Sequence, residues 1–347
     1  MPKNIVVFSD GTGQEGGKRY NTNVYKLFNM IEDRTEHQIA FYDRGLGTGF
    51  RKVTGKISGM GISKNIKECY KFIFENFNSK DKIYLFGFSR GAATVRSLSA
   101  FIHLFGILPK SRPELIDQAY NIYKIRNTEK REKKAKEFIG KHHTMWCTIK
   151  FLGVWDTVAA LGIPFKMWDA LLGIIPFCRH KFHNFLLSPS VENAYHALAI
   201  DDERLTFHPI LWENKKADYQ QIKQVWFSGV HTDVGGGYKE QDLSDIPLMW
   251  MTQQAKTHGL RIYPHHNVTI KQDIQGTMHD SSKGLIGRIY RKKARSWNTK
   301  THGKPIIHES VLQRKLNKGN NKIPPYSPWI LNLNYDVELW DKTFSTL

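Results

Sequence analysis

Lys82-Ile83-Tyr84-Leu85-Phe86-Gly87-Phe88-Ser89-Arg90-Gly91-Ala92-Ala93-Thr94-Val95-Arg96 decides the fold. An apolar, β-rich run meets Gly-x-Ser-x-Gly and continues into small residues with a helical pattern, the signature of a nucleophile elbow. A serine hydroxyl is a weak nucleophile until a sharp strand-to-helix turn exposes it beside a base and beside a helix N-terminus that favours developing negative charge. Gly87 and Gly91 permit that turn. The five-letter motif alone is weak; the strand before it and the helix after it give it specificity.

Outward from the elbow, strands and helices alternate. Ile5 to Phe8 reads as a strand ending in Ser9-Asp10-Gly11-Thr12-Gly13, followed by a helix over Asn23 to Ile31. Gln38 to Tyr42 is a second strand, ending in Asp43-Arg44-Gly45, and Ile62 to Asn76 an amphipathic helix. After the elbow helix, Ile149 to Val154 closes on Trp155-Asp156-Thr157, and Gln224 to Ser228 closes on Gly229-Val230-His231-Thr232-Asp233. In a mainly parallel sheet such strand ends share one edge, where these folds build their sites. The expected fold is α/β-hydrolase-like, a mainly parallel sheet with helices on both faces and an apolar lid or cap insertion at about 158–187. Residues 1–285 read as the catalytic domain and 286–347 as a basic C-terminal extension packed on it.

Composition bounds the alternatives. A chain of 347 residues with 40% hydrophobic and 12% aromatic residues can bury a full core and is not globally disordered. Cys69, Cys147 and Cys178 form no C-x-x-C pair, which argues against a disulfide framework and a structural zinc site. Neither a metal nor another cofactor is expected. No secretory signal and no apolar run of membrane-spanning length is visible, which points to a cytoplasmic protein. Lys and Arg exceed Asp and Glu by 51 to 32, a net charge of +19, concentrated at Lys130–Lys141 and Lys283–Lys304. Such a surface attracts polyanions, either nucleic acid or an anionic membrane. Tyr290 and Trp297 lie within the second run, yet no nucleic-acid-binding motif accompanies them, so nucleic acid is not the expected partner.

An α/β-hydrolase places its acid and histidine after the serine in chain order. Two sets satisfy this: Ser89, Asp233 and His279, or Ser89, Asp156 and His231. The first is preferred here, because the acid usually sits one strand further from the nucleophile than Asp156 would. The backbone N–H of Arg90, with Gly11 or Thr12 from the first loop, is expected to form the oxyanion hole. His231 next to Asp233 also admits a metal reading, which lacks a third ligand at useful spacing. The stretch from Val158 to Leu187, with Phe165, Trp168, Leu171 and Phe177, reads as a lid or acyl-binding wall.

These blocks together resemble the domain-of-unknown-function 2235 family, the α/β-hydrolase domain of type VI secretion lipase effectors. The resemblance rests on Val7-Phe8-Ser9-Asp10-Gly11-Thr12, Tyr42-Asp43-Arg44-Gly45, Gly87-Phe88-Ser89-Arg90-Gly91-Ala92, Gly153-Val154-Trp155-Asp156-Thr157, Ala199-Ile200-Asp201-Asp202-Glu203-Arg204, Gly229-Val230-His231-Thr232-Asp233-Val234-Gly235-Gly236-Gly237-Tyr238 and His279-Asp280-Ser281, in order over residues 4 to about 285. It implies a serine phospholipase or related esterase, with Ser89, Asp233 and His279 carrying the triad. It further implies an acyl-ester substrate, export without a signal peptide in the type VI manner and, for a toxin, a cognate immunity protein, while peripheral contact with an anionic membrane is expected from the two basic runs. The reading from a different class is a catalytically silent α/β fold whose basic surface binds nucleic acid or a partner protein.

Overall fold

The computed structural model describes residues 1–11, 16–17, 20–45, 55–158, 186–281, 291–316 and 325–341, with backbone alone for 55–60. Thr12, Cys178, nearly all of the expected lid and the Lys283–Tyr290 part of the second basic run lie outside the described residues.

The described strands form one eight-stranded sheet in the order β2-β1-β3-β4-β5-β6-β7-β8. They are β1 (Asn4–Ser9), β2 (Gln38–Asp43), β3 (Lys82–Phe88), β4 (Ile149–Trp155), β5 (Val191–Ala199), β6 (Gln221–Phe227), β7 (Ile306–His308) and β8 (Asp336–Glu338). Every neighbouring pair is parallel. A parallel sheet must be covered on both faces, so its central strands read as nearly continuous apolar runs. Accordingly, every β1 residue is buried, as is every β3 residue after Lys82.

Strand alternation sends the side chains to two unlike cores. Ile5, Val7, Ile83, Leu85, Leu152 and Val154 join one cluster, packed beneath α2 (Gly55–Asn76), α3 (Arg90–Phe105), α4 (Leu115–Tyr123) and α5 (Thr128–His142). Val6, Phe8, Tyr84, Phe86, Phe151 and Trp155 join the other, beneath α1 (Asn23–Met30) and a later helix over Asp245–Thr257. This second face is largely aromatic: Phe8 stacks on Phe86 at 5.1 Å, Phe86 meets Phe151 at 5.4 Å, and Phe151 stacks on Tyr195 at 5.0 Å. Helices thus cover both faces, as the sequence pattern predicts.

Two features depart from that pattern. β5, Val-Glu-Asn-Ala-Tyr-His-Ala-Leu-Ala, escapes the reading because Glu192, Asn193 and His196 interrupt its apolar signal, although only Glu192 is not buried. Its polar groups are answered instead: Glu192 pairs with Lys150 at 2.7 Å and Asn193 donates to the Lys150 carbonyl at 2.9 Å. The second concerns residues 286–347. The described residues of this stretch continue the sheet as β7 and β8, and Glu338 of β8 pairs with Lys223 of β6 at 2.9 Å.

Candidate active site

Ser89 sits between β3 and α3 with φ 58° and ψ −120°. That conformation is unfavourable for a residue bearing a Cβ and is held by its surroundings. The turn closes because Gly91 brings α3 against β1: a Cβ on Gly91 would stand 2.0 Å from the Ser9 carbonyl oxygen. The Ser89 amide donates to the Trp155 carbonyl at 3.1 Å, pinning the elbow to the end of β4. The serine side therefore faces the shared C-terminal edge of β3 and β4.

Asp156 follows β4 directly, also with positive φ, 38°. Only four described residues other than glycine have positive φ, and Ser89 and Asp156 are two of them. The two lie together at one sheet edge, and backbone strain of this kind clusters at functional sites. His231 opens a short helix, α6 (His231–Gly235), after β6. Its Nδ1 lies 2.6 Å from Asp156 Oδ2 and its Nε2 lies 2.9 Å from Ser89 Oγ. All three residues are buried, with Ser89 the most accessible at 9%.

An ionised carboxylate only accepts hydrogen bonds, so the proton of this imidazole belongs on Nδ1 and Nε2 accepts the serine hydroxyl. Burial alone would push Asp156 up. The Arg295 guanidinium and His231 overcome that and hold the carboxyl well below the usual carboxylate range. Asp156 therefore stays ionised at neutral pH. The imidazole itself is packed by two rings, Phe88 at 4.6 Å and Phe207 edge-on at 5.1 Å, while the His231 backbone amide donates to Asp202 Oδ2 at 3.1 Å.

Asp233 and His279 form a separate pair. His279 Nδ1 lies 2.6 Å from Asp233 Oδ1, and His279 Nε2 faces Glu240 at 3.5 Å. The other Asp233 oxygen accepts the backbone amides of Val230 and His279, each at 3.0 Å. Asp233 is thus the N3 residue of α6 reaching back to the residue before the helix, as acidic side chains do in a capping interaction. Its partner His279, stacked on Tyr238 at 3.8 Å, ties the 279 loop to the helix that presents His231. The hydrogen bonds from Ser89 consequently run through the second of the two sequence-derived sets, His231 and Asp156, and not through Asp233 and His279.

Arg90 opens α3, so its amide lies at the positive end of the helix beside Ser89. The Gly11 amide, a candidate second oxyanion donor, instead donates to its neighbour Asp10 Oδ1 at 2.7 Å. Asp10 Oδ2 accepts from Thr22 and Tyr42, each at 2.6 Å. Burial pushes the Asp10 carboxyl up to about 6. Arg295 is the residue that sequence reasoning missed as part of the site: it reads as one more cation in a basic run, and its partner lies 139 residues away.

The parallel sheet thus carries, at the C-terminal edge of its strands, a strained serine elbow joined through histidine to a buried aspartate. The chain belongs to the family of type VI secretion phospholipase effectors described as Tle1-like, catalytic domain, whose profile matches residues 3–254. Among curated proteins it is 28% identical over 232 residues to Uncharacterized protein YEL023C of Saccharomyces cerevisiae, a match covering 59% of this chain and 32% of that protein. Two solved structures are similar. A crystal structure of an uncharacterized protein from Pseudomonas aeruginosa has a TM-score of 0.47 at 14% identity, covering 78% of this chain and 48% of the other. The Tle1 effector bound to the VgrG spike of the type VI secretion system has a TM-score of 0.38 at 18% identity, covering 69% and 52%. The chain thus spans about a third of the curated relative and about half of each solved structure.

Proposed function

We propose that this protein is a serine hydrolase that cleaves carboxylic esters of phospholipids, of the phospholipase A type. The observation that carries the reading is the single imidazole of His231, placed between Ser89 Oγ and Asp156 Oδ2. His231 takes the Ser89 proton as the hydroxyl attacks the ester carbonyl, forming the tetrahedral intermediate. It then returns that proton to the leaving alcohol as the acyl-enzyme forms, and water repeats the sequence to release the fatty acid. Asp156 holds the tautomer and stabilises the transient imidazolium.

The Arg90 amide donates to the oxyanion; one such donor is typically worth about 2.7–4 kcal/mol. In this reading Asp233 and His279 act through α6, keeping His231 in place. The phospholipid assignment draws on the family, whose printed description is a phospholipase effector. Contact with an anionic membrane fits the net charge of +19. No helix among the described residues is long and apolar enough to cross a bilayer, so such contact is peripheral in this reading. Release of fatty acid from phosphatidylglycerol vesicles by the wild type, abolished in Ser89→Ala with unchanged circular dichroism, tests the reading. No Ser89-dependent release from any phospholipid or acyl ester refutes it.

A further inference from the structure

We propose that Arg295 is a positioning residue of the catalytic site, clamping Asp156 in the orientation that presents one carboxylate oxygen to His231. The proposal rests on the triad reading above. Arg295 Nη1 and Nη2 lie 2.6 Å and 2.9 Å from Asp156 Oδ1 and Oδ2, a two-pronged grip that fixes the plane of the carboxylate. The remaining donors reach main-chain carbonyls: Nε to Asp202 at 3.0 Å, Nη1 to Ala199 at 2.6 Å and Nη2 to Phe207 at 2.7 Å. A guanidinium has five N–H groups, and here all five are used. The side chain is 1% exposed.

Such a residue does more than neutralise a buried charge. Its backbone partners belong to the end of β5 and the segment after it, so the guanidinium is itself immobile. The immobility passes to Asp156. Oδ2 receives both Arg295 Nη2 and His231 Nδ1, while Oδ1 receives Arg295 Nη1 and the Ala199 amide at 3.1 Å. With both oxygens anchored, the carboxylate cannot turn away from His231 when the imidazole becomes charged. A lysine supplies the charge without the fork and does not reproduce this. Arg295 also lies beyond residue 254, where the family match ends, so the functional catalytic unit extends into the C-terminal stretch.

The test uses the full chain and a fluorophosphonate probe, which reports activation of Ser89 without requiring the natural substrate. Labelling of wild type, Ser89→Ala, Arg295→Lys, Arg295→Met and Arg295→Ala is timed, alongside melting curves and the low-field proton NMR signal of His231 Nδ1–H. Arg295→Lys and Arg295→Met are expected to label about 100-fold or more slowly, the lower range of what positioned acid–base catalysis supplies. Their low-field signal should be lost or moved upfield, and on a soluble ester kcat should fall with KM unchanged. Millimolar guanidinium should partly restore labelling of Arg295→Ala.

A folded Arg295→Met that labels within about threefold of wild type overturns the proposal. If that variant does not fold, Arg295→Lys decides: wild-type labelling with an unmoved low-field signal overturns it equally. Labelling of wild type at Ser89 together with fast Arg295 variants defeats this proposal alone, whereas failure of wild type to label at Ser89 defeats both it and the triad reading.

Discussion

His231 Nε2 meets Ser89 Oγ at 2.9 Å across 142 residues of chain, although their strands, β3 and β6, are not neighbours in the sheet. β4 and β5 lie between them, so the contact exists only because the turn after β6 folds back across the strand ends into α6. Asp156, after β4, meets the imidazole Nδ1, and Asp202, after β5, accepts the His231 amide. Each strand from β3 to β6 therefore delivers one member of a single hydrogen-bonded assembly.

The first prediction separates the two carboxylate–histidine pairs. Asp156→Asn should lower kcat by about four orders of magnitude, the usual cost of presenting the wrong histidine tautomer in a triad. Asp233→Asn should act mainly through stability, by weakening the cap of α6, with a loss of about 0.5–2 kcal/mol. Steady-state kinetics beside melting curves distinguish them; an inactive Asp233→Asn with unchanged Tm, paired with an active Asp156→Asn, would reverse the assignment.

The elbow was legible in the sequence because its determinants are local: a strand, two glycines and a helix within fifteen letters. Ser89, Asp156 and His231 all stood among the candidates, but choosing between histidines requires strand order, which no local pattern contains. The expectation of an acid one strand further out does not match the hydrogen bonds, in which Ser89 reaches Asp156 through His231. The carboxylates beyond β5 are engaged otherwise, Asp202 with Arg204 at 2.6 Å and Asp201 with the Gly229 amide at 2.6 Å. Arg295 was illegible for a related reason. A buried arginine and a surface arginine look alike in a basic run until the fold supplies the carboxylate.

Gly91→Ala should damage both stability and catalysis. The added methyl group would lie 2.0 Å from the Ser9 carbonyl oxygen and 2.6 Å from that of Asp10, both backbone atoms that cannot rotate away. Forcing α3 off β1 should cost at least the roughly 1–3 kcal/mol of an overpacked core. It should also shift the Arg90 amide from its oxyanion position. Thermal melts and kcat measured on the same preparation check this, and an unchanged Tm would show that the elbow tolerates the displacement.

Asp10 gives a pH-dependent prediction. Burial raises its carboxyl from 3.8 in the unfolded chain to about 6, so the folded state holds the proton more tightly. The associated stability is fully present below the unfolded value and is lost as pH rises through about 6. That rise corresponds to about 3 kcal/mol. Asp10→Asn does not titrate, so its stability relative to wild type should improve by an amount of that order between about pH 4 and about pH 7. Urea melts across that range test it; a constant difference would contradict the role of Asp10 burial.

The basic helix α5 should draw the protein to anionic bilayers. Lys130, Arg131, Lys133, Lys134, Lys136 and Lys141 outnumber Glu129, Glu132 and Glu137, and only Ala135 and Phe138 are buried. Each cation near an anionic leaflet is worth about 1 kcal/mol, within a Debye length of about 8 Å at physiological salt. Replacing Lys130, Lys133, Lys134 and Lys136 with glutamate should therefore reduce binding to phosphatidylglycerol vesicles strongly at low salt. Turnover of a soluble short-chain ester should not change. Equal turnover by wild type on anionic and neutral vesicles would contradict the membrane role of the charge.

In the proposed reading His231, held by Asp156, activates Ser89 for ester hydrolysis. The most direct measurement is the rate of fatty-acid release from phospholipid by wild type, His231→Ala and His279→Ala, each with its melting curve. His231→Ala should lose activity by several orders of magnitude with its fold intact, while His279→Ala should keep most of its activity once its lower stability is allowed for. Retention of activity in a folded His231→Ala, with complete loss in an equally folded His279→Ala, would contradict it.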